Sequence, residues 1–267
     1  MTRNVRLTLK AHLSDTIEHQ RWVRPSVGPA GEAVMLVVDQ SDFPIVIGHE
    51  KSPTGALFPR PRMQRPVTGM VLLHHGDRVR RVTLRDLDLG HPMSQPLPNG
   101  EILVVGARCR RYPDGTAEHN ARVYGADGAL KREMVLGDGI NEVQATASGD
   151  TWVSYFDEGI FGNYGWGSGE DSTPIGAFGL ARFDAWGAKH WEYEPPEGLG
   201  HMADCYALNV SDEAAWAYYY TDFPLVRIDS GGQVRAWSTE IGGARAFAVD
   251  GRCVLLFGGY GRIPGSV

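Results

Sequence analysis

Short apolar or alternating runs, each broken by a cluster of Gly, Asp, Asn or Ser, recur along the whole chain. Runs of this length bounded by turn residues read as β-strands joined by tight hairpins. The stretch Asn141 to Trp191 shows it best: two hairpins in series, separated by a Gly/aromatic-rich insertion. Weaker copies of both halves lie before and after it. One unit is a strand, a polar turn, then a strand opening on large apolar residues. Its copies are Pro98–Val105, Ser148–Val153, Ser211–Ala217 and Val249–Leu255, with Pro29–Leu36 a fainter fifth. The second unit recurs at His74–Asp77, Val123–Gly128, Arg182–Gly187 and Arg227–Gly232. Asn-Gly and Asp-Gly pairs supply the positive φ that a two-residue hairpin turn requires.

The two units alternate strictly, so four strands repeat at irregular but comparable spacing. That is the pattern of an all-β protein of the β-propeller type. The count gives about five four-stranded blades in one domain spanning residues 1–267, with six blades the alternative. The last inner hairpin lacks outer strands, and Val5–Ala11 alternates as a strand should. It is expected to close the ring against the last blade, which removes two exposed edges.

In such a blade the loops after the second and fourth strands share one face. Asp157, Glu158, Arg110, Arg111, Asp42 and Asp222 reach that face from second strands. His91, Gln95, Asn141, Glu142, His201, Asp204, Cys205 and Arg245 reach it from the starts of innermost strands. Long insertions at 40–69, 110–120 and 159–178 gather there too, and long loops on a rigid scaffold are where binding usually sits. Tyr164 and Trp166 among glycines offer flat surfaces for stacking, or else pack as a plug. Ser41–Val46 and Thr221–Val226 are nearly the same hexapeptide, each following a second strand; their Asp residues suit a corner turn.

Composition narrows the picture. Thirty-four glycines and sixteen prolines in 267 residues suit a turn-dense β protein. Net charge is −6, and no long Lys/Arg block occurs, which disfavours nucleic acid as a partner. No apolar run approaches the roughly 20 residues that cross a bilayer, and no signal-peptide pattern follows the N-terminus. Cys109, Cys205 and Cys253 are odd in number and widely spaced, which suits a reducing, cytoplasmic location rather than a disulfide framework. Cys253 beside Val254 reads as core. Cys109 reads as half-exposed, with neighbouring arginines lowering its pKa. Cys205 near His201 is a third, nucleophilic option.

The Asn-acid start, alternating strand, Ser-Gly turn and Trp of Asn141–Trp152 resemble blades of gluconolactonase and senescence-marker-protein lactonases, and of NHL-type propellers. The resemblance implies a divalent cation of the Ca or Mg kind held at Asn141, with an Asp from another blade as ligand or base. Glu142 and Asp204 are the neighbouring metal-ligand candidates. The lactonases' N-terminal Gly-Glu-Gly-Pro ligand motif has no counterpart here.

Two functions follow. One is a propeller that binds a small molecule or peptide segment through Tyr164, Trp166, Arg110, His91, Asp222 and Arg245. The other is a metal-dependent lactonase or ester hydrolase at the same face, with Asp157, Glu142 and His201 as catalytic candidates.

Overall fold

A computed structural model of the chain describes residues 19–52, 54–169, 171–250 and 253–260. In chain order the elements are β1 (Gln20–Val27), β2 (Ala33–Asp39), α1 (Phe43–Val46), β3 (His49–Lys51), β4 (Leu57–Pro59), β5 (Arg62–His75) and β6 (Arg78–Leu89). Then come β7 (Pro92–Pro96), β8 (Ile102–Gly106), β9 (Ala121–Tyr124), β10 (Leu130–Met134), β11 (Ile140–Ala145), β12 (Thr151–Tyr155), α2 (Asp157–Phe161), β13 (Leu180–Phe183) and β14 (Lys189–Glu192). The last are β15 (Asp204–Ser211), β16 (Ala214–Tyr220), β17 (Leu225–Ile228), β18 (Val234–Trp237), β19 (Ala244–Val249) and β20 (Val254–Gly258).

These strands form four antiparallel four-stranded sheets, β1-β2-β5-β6, β7-β8-β9-β10, β11-β12-β13-β14 and β15-β16-β17-β18. Among the described residues β19 and β20 pair as a two-stranded fifth sheet, and β3 and β4 form a separate hairpin between β2 and β5. The turns fall where the sequence pattern puts them. Asn99 and Gly100 sit at φ 60° and 73°, the paired positive values of a tight hairpin. Asp212 and Glu213 adopt φ 48° and 64° in the equivalent turn without any glycine.

Second strands are continuously apolar because both of their faces are buried. In β8, Ile102 and Val104 pack with Val34, Leu36, Val71 and Val82 of the preceding sheet. Leu103 and Val105, pointing the other way, pack with Val143, Val153 and Phe183 of the following one. Trp152 of β12, with Leu180 of its own sheet, likewise joins Ala215, Ala217 and Val226 across the next sheet boundary. A fourth core joins Tyr218 and Leu225 to Phe247. Period-2 side-chain alternation therefore serves two cores at once.

The first strands of successive sheets, β1, β7, β11, β15 and β19, lie side by side. They pair within their own sheets and not with each other. All five line one central cavity of about 270 Å³. Face-packed antiparallel sheets with their first strands around a common cavity make a propeller-type fold. The closing strand expected at residues 5–11 lies outside the described residues.

Candidate functional site

Four of the five innermost strands are irregular at one end. The β1–β2 register slips between Trp22 and Pro25, β11–β12 between Ile140 and Glu142, β15–β16 between Cys205 and Ala207 and β19–β20 between Ala244 and Ala246. Each slip falls near the start of the innermost strand, so all four bulges open on the same face. A bulge re-aims side chains and tightens the local twist. The extra residues are Val23 and Arg24, Asn141, Tyr206 and Arg245. The Arg245 guanidinium lies 5.1 Å from the centre of the Tyr206 ring, and the Tyr206 hydroxyl is bonded to that of Tyr260.

Side chains, not backbone ladders, tie the innermost strands together. Gln95 donates to Ser26 Oγ at 2.9 Å and to the Val27 carbonyl at 3.2 Å. Its carbonyl oxygen accepts from the Ala145 amide at 3.1 Å, so one buried amide side chain spans three sheets. Gln144 donates to the Leu208 carbonyl at 2.8 Å and accepts from the Val210 amide at 2.7 Å. Asn141 donates to the Cys205 carbonyl at 2.6 Å. Glu142 Oε2 accepts from the Leu208 amide at 3.1 Å.

Glu142, Arg24 and Ser94 line the cavity. Glu142 is half-buried, with protein packed around most of its carboxyl. That burial raises its pKa to about 7, against the pull of the Arg24 charge and the Leu208 amide. Outside, burial and the nearby Asp157 charge raise Asp204 to about 6, with Arg245 acting in the opposite sense. Asp157 is exposed at the first turn of α2 and accepts the Glu158 amide at 2.7 Å. These are carboxylates that change charge near neutral pH, the property expected of binding and proton-transfer sites.

A second cluster on the same face is structural. Arg108, 1% exposed, makes two 2.8 Å bonds to Asp138 and a third to Glu158. Asp138 also accepts the Cys109 amide at 2.7 Å. The Tyr164 ring is covered by Arg108 at 4.6 Å and Arg110 at 5.0 Å, and its hydroxyl donates to the Pro59 carbonyl at 3.0 Å. Trp166 is 9% exposed and donates its Nε1–H to the Cys109 carbonyl at 2.9 Å. Tyr164 and Trp166 therefore do not offer free stacking surfaces. The glycines let the loop fold back far enough to use these rings as its own core.

The remaining expectations divide. Arg110 is paired with Glu50 at 2.8 Å. His91 bonds the Gly48 carbonyl at 2.9 Å and packs edge-on against His49; burial lowers its pKa. Asp222 is exposed in a left-handed turn at φ 64°, and His201 is exposed without a side-chain hydrogen bond or ion pair among the described residues. Of the expected metal ligands, Asn141 and Glu142 are committed to ties between sheets, though Asn141 Oδ1 remains without a donor among the described residues. No three His, Cys, Asp or Glu side chains gather around a common point among the described residues. Cys205 is fully buried, which pushes its thiol up and away from the thiolate a nucleophile needs. Cys109 is buried with its thiol also pushed up, and Cys253 is exposed, the reverse of both expectations.

Sequence reasoning missed Arg24, Ser94, Arg108 and Asp138. Asp138 carried a signal, a lone carboxylate between Gly137 and Gly139 in a tight connection. Arg108 was hidden in a run, Arg108-Cys109-Arg110-Arg111, that reads as an exposed basic corner.

Residues 193–256, which include β15 to β19, match the YxzG family. No curated protein matches the sequence. Among solved structures, virginiamycin B lyase from Staphylococcus aureus is 11% identical, with a TM-score of 0.36 over 87% of this chain and 90% of that one. Apo AztD from Citrobacter koseri is 14% identical, with a TM-score of 0.40 over 87% and 67%. A gluconolactonase from Xanthomonas campestris is 14% identical, with a TM-score of 0.30 over 88% and 92%.

Proposed function

We propose that this protein is a ligand-binding propeller of five blades, the last completed by residues 5–11, that takes a small polar molecule at its central cavity. One observation carries the reading: the innermost strands of all five sheets line a single cavity of about 270 Å³ that holds Arg24 and Glu142. Asp204 and Arg245 lie at the bulged starts of the same strands. Ties through Gln95, Gln144, Asn141 and, to β19, Asn209 fix these strands, so the site is formed before a ligand arrives, which lowers the cost of binding. Cavities of this kind, mostly apolar with a few polar groups, are the usual form of a small-molecule site.

The test is a thermal-shift screen of small polar metabolites against the wild type and Ala246→Phe, which fills the cavity from β19. A ligand at 100 times its Kd adds about 2.7 kcal/mol, or roughly 5–10 °C for a domain of this size. Hits that vanish in Ala246→Phe support the reading. Hits indifferent to that substitution, or no hits, overturn it.

The second reading is a metal-dependent hydrolase. It is favoured by one observation, the Asp157 charge close enough to raise the Asp204 pKa. Asn141 Oδ1 and these two carboxylates are oxygen donors of the kind hard cations take, but they fall short of the six to eight that Ca²⁺ takes. The residues thus do not complete a cation site. Titration with Ca²⁺ and Mg²⁺ tests it: stoichiometric uptake lost in Asp204→Asn would favour the hydrolase, and no uptake would remove it.

A further inference from the structure

Ser94 is 2% exposed, lines the central cavity, and its Oγ has no hydrogen-bond partner. A buried hydroxyl left unpaired costs free energy unless something enters to meet it. The same cavity holds the Arg24 guanidinium, which has no ion pair or hydrogen bond among the described residues. Its other walls include Met93, Val143, Ala207 and Phe247, an apolar lining suited to a carbon skeleton.

The geometry points to a small organic monocarboxylate as the ligand: its carboxylate pairs with Arg24, the Ser94 side chain turns to bring its sealed Oγ out of the wall and donate to it, and its apolar body fills the space between Met93, Val143 and Phe247. This assignment rests on the central cavity being a binding site. A guanidinium matches a carboxylate with two parallel charge-assisted bonds. Glu142 Oε2 accepts the Leu208 amide and makes no ion pair with Arg24, so the guanidinium is left to meet an anion. The ionisable groups around Glu142 are few. β1 brings Arg24 and β15 brings the buried Cys205, whose thiol is itself pushed up. β7 contributes no ionisable side chain, and Tyr155 of β12 spends its hydroxyl on the Leu136 carbonyl. Arg245 of β19 is taken up with Tyr206 and acts on Asp204.

The experiment is isothermal titration of the full chain with benzoate, benzamide and benzylamine, three probes of one shape and different charge. Benzoate is expected to bind at least about tenfold more tightly than the other two, the discrimination of a charge-assisted pair. Arg24→Gln should abolish that preference with the fold intact by circular dichroism. Ser94→Ala should weaken benzoate severalfold while leaving the melting temperature of the free protein unchanged or higher, because its hydroxyl supports nothing there. Equal binding of benzamide or benzylamine, or an unchanged preference in Arg24→Gln, overturns the carboxylate assignment. So does failure of all three probes to bind. In each case, loss of other ligands in Ala246→Phe would still uphold the cavity as a site, and the absence of any such ligand would overturn both.

Discussion

Glu142 shows how a single side chain is decided by its surroundings. Its carboxyl accepts one amide and sits beside one guanidinium, yet burial outweighs both and raises its pKa to about 7. A carboxyl raised in the folded state binds a proton that the unfolded chain has released, so stability falls as pH rises between the two values. From roughly pH 4.5 to about 7, Glu142 therefore withdraws up to about 3 kcal/mol. Glu142→Gln should flatten that part of the profile, gaining on the wild type as pH rises from 4.5 to 7 in urea denaturation. Unchanged curvature would refute it. Arg108 is the opposite case, a buried cation with three carboxylate bonds. Arg108→Ala leaves Asp138 buried and unpaired, and should cost about 3–5 kcal/mol. Arg108→Met combined with Asp138→Leu should recover part of that loss, since removing both charges spares the uncompensated one. The sequence marks Glu142 as facing the loop-rich end. It carries no sign that Arg108 is buried, because burial of that corner depends on α2 and the Tyr164 loop folding over it.

At the scale of elements, the bulges and the side-chain ties form one device. The slips let successive residues of an innermost strand, such as Asn141 and Glu142, both reach the neighbouring strand. Gln144 then holds that neighbour at two points. Gln144→Leu strands a carbonyl and an amide of β15, and a loss of about 1–3 kcal/mol is expected. Connections are as tightly specified. Gly139 sits at φ 64°, and a Cβ there would lie 2.2 Å from the Gly159 amide. Gly139→Ala should therefore displace α2 with its Asp157 and lower stability in chemical denaturation; a neutral result would mean that this approach is not required. The hexapeptide pair is instructive. Asp42 precedes α1 in a helical conformation, whereas Asp222 and Phe223 are left-handed at φ 64° and 52°. After β16 the chain must return at once, since Leu225 pairs with Tyr218. After β2 it is free to run through α1 and a hairpin before β5 pairs. Nearly identical residues take different shapes because the pairing partner lies at a different distance.

For the whole molecule, the arrangement of sheets makes the cavity. Neighbouring sheets share apolar cores, and only the innermost strands meet around the axis, where side chains replace ladders. The fifth sheet has two strands among the described residues where the other four have four. Residues 5–11 are proposed to complete it, and deletion of residues 1–12 should lower the melting temperature and increase aggregation through the unpaired edge. An unchanged melting temperature would send the search for a closing strand elsewhere.

Strand positions, hairpin turns and the alternation of inner and outer units were legible in the sequence, because period-2 patterning and positive-φ turn residues act over a few neighbours. The face bearing Asn141, Glu142, Asp157, Asp204 and Arg245 followed from the order of strands. Which groups are spent and which are free did not. Trp166 is a pin and not a platform, and Asn141 is a tie between strands. Ser94 and Arg24 share a cavity despite lying in different sheets. These outcomes depend on contacts between segments distant in the chain, fixed only when the sheets pack face to face around one axis.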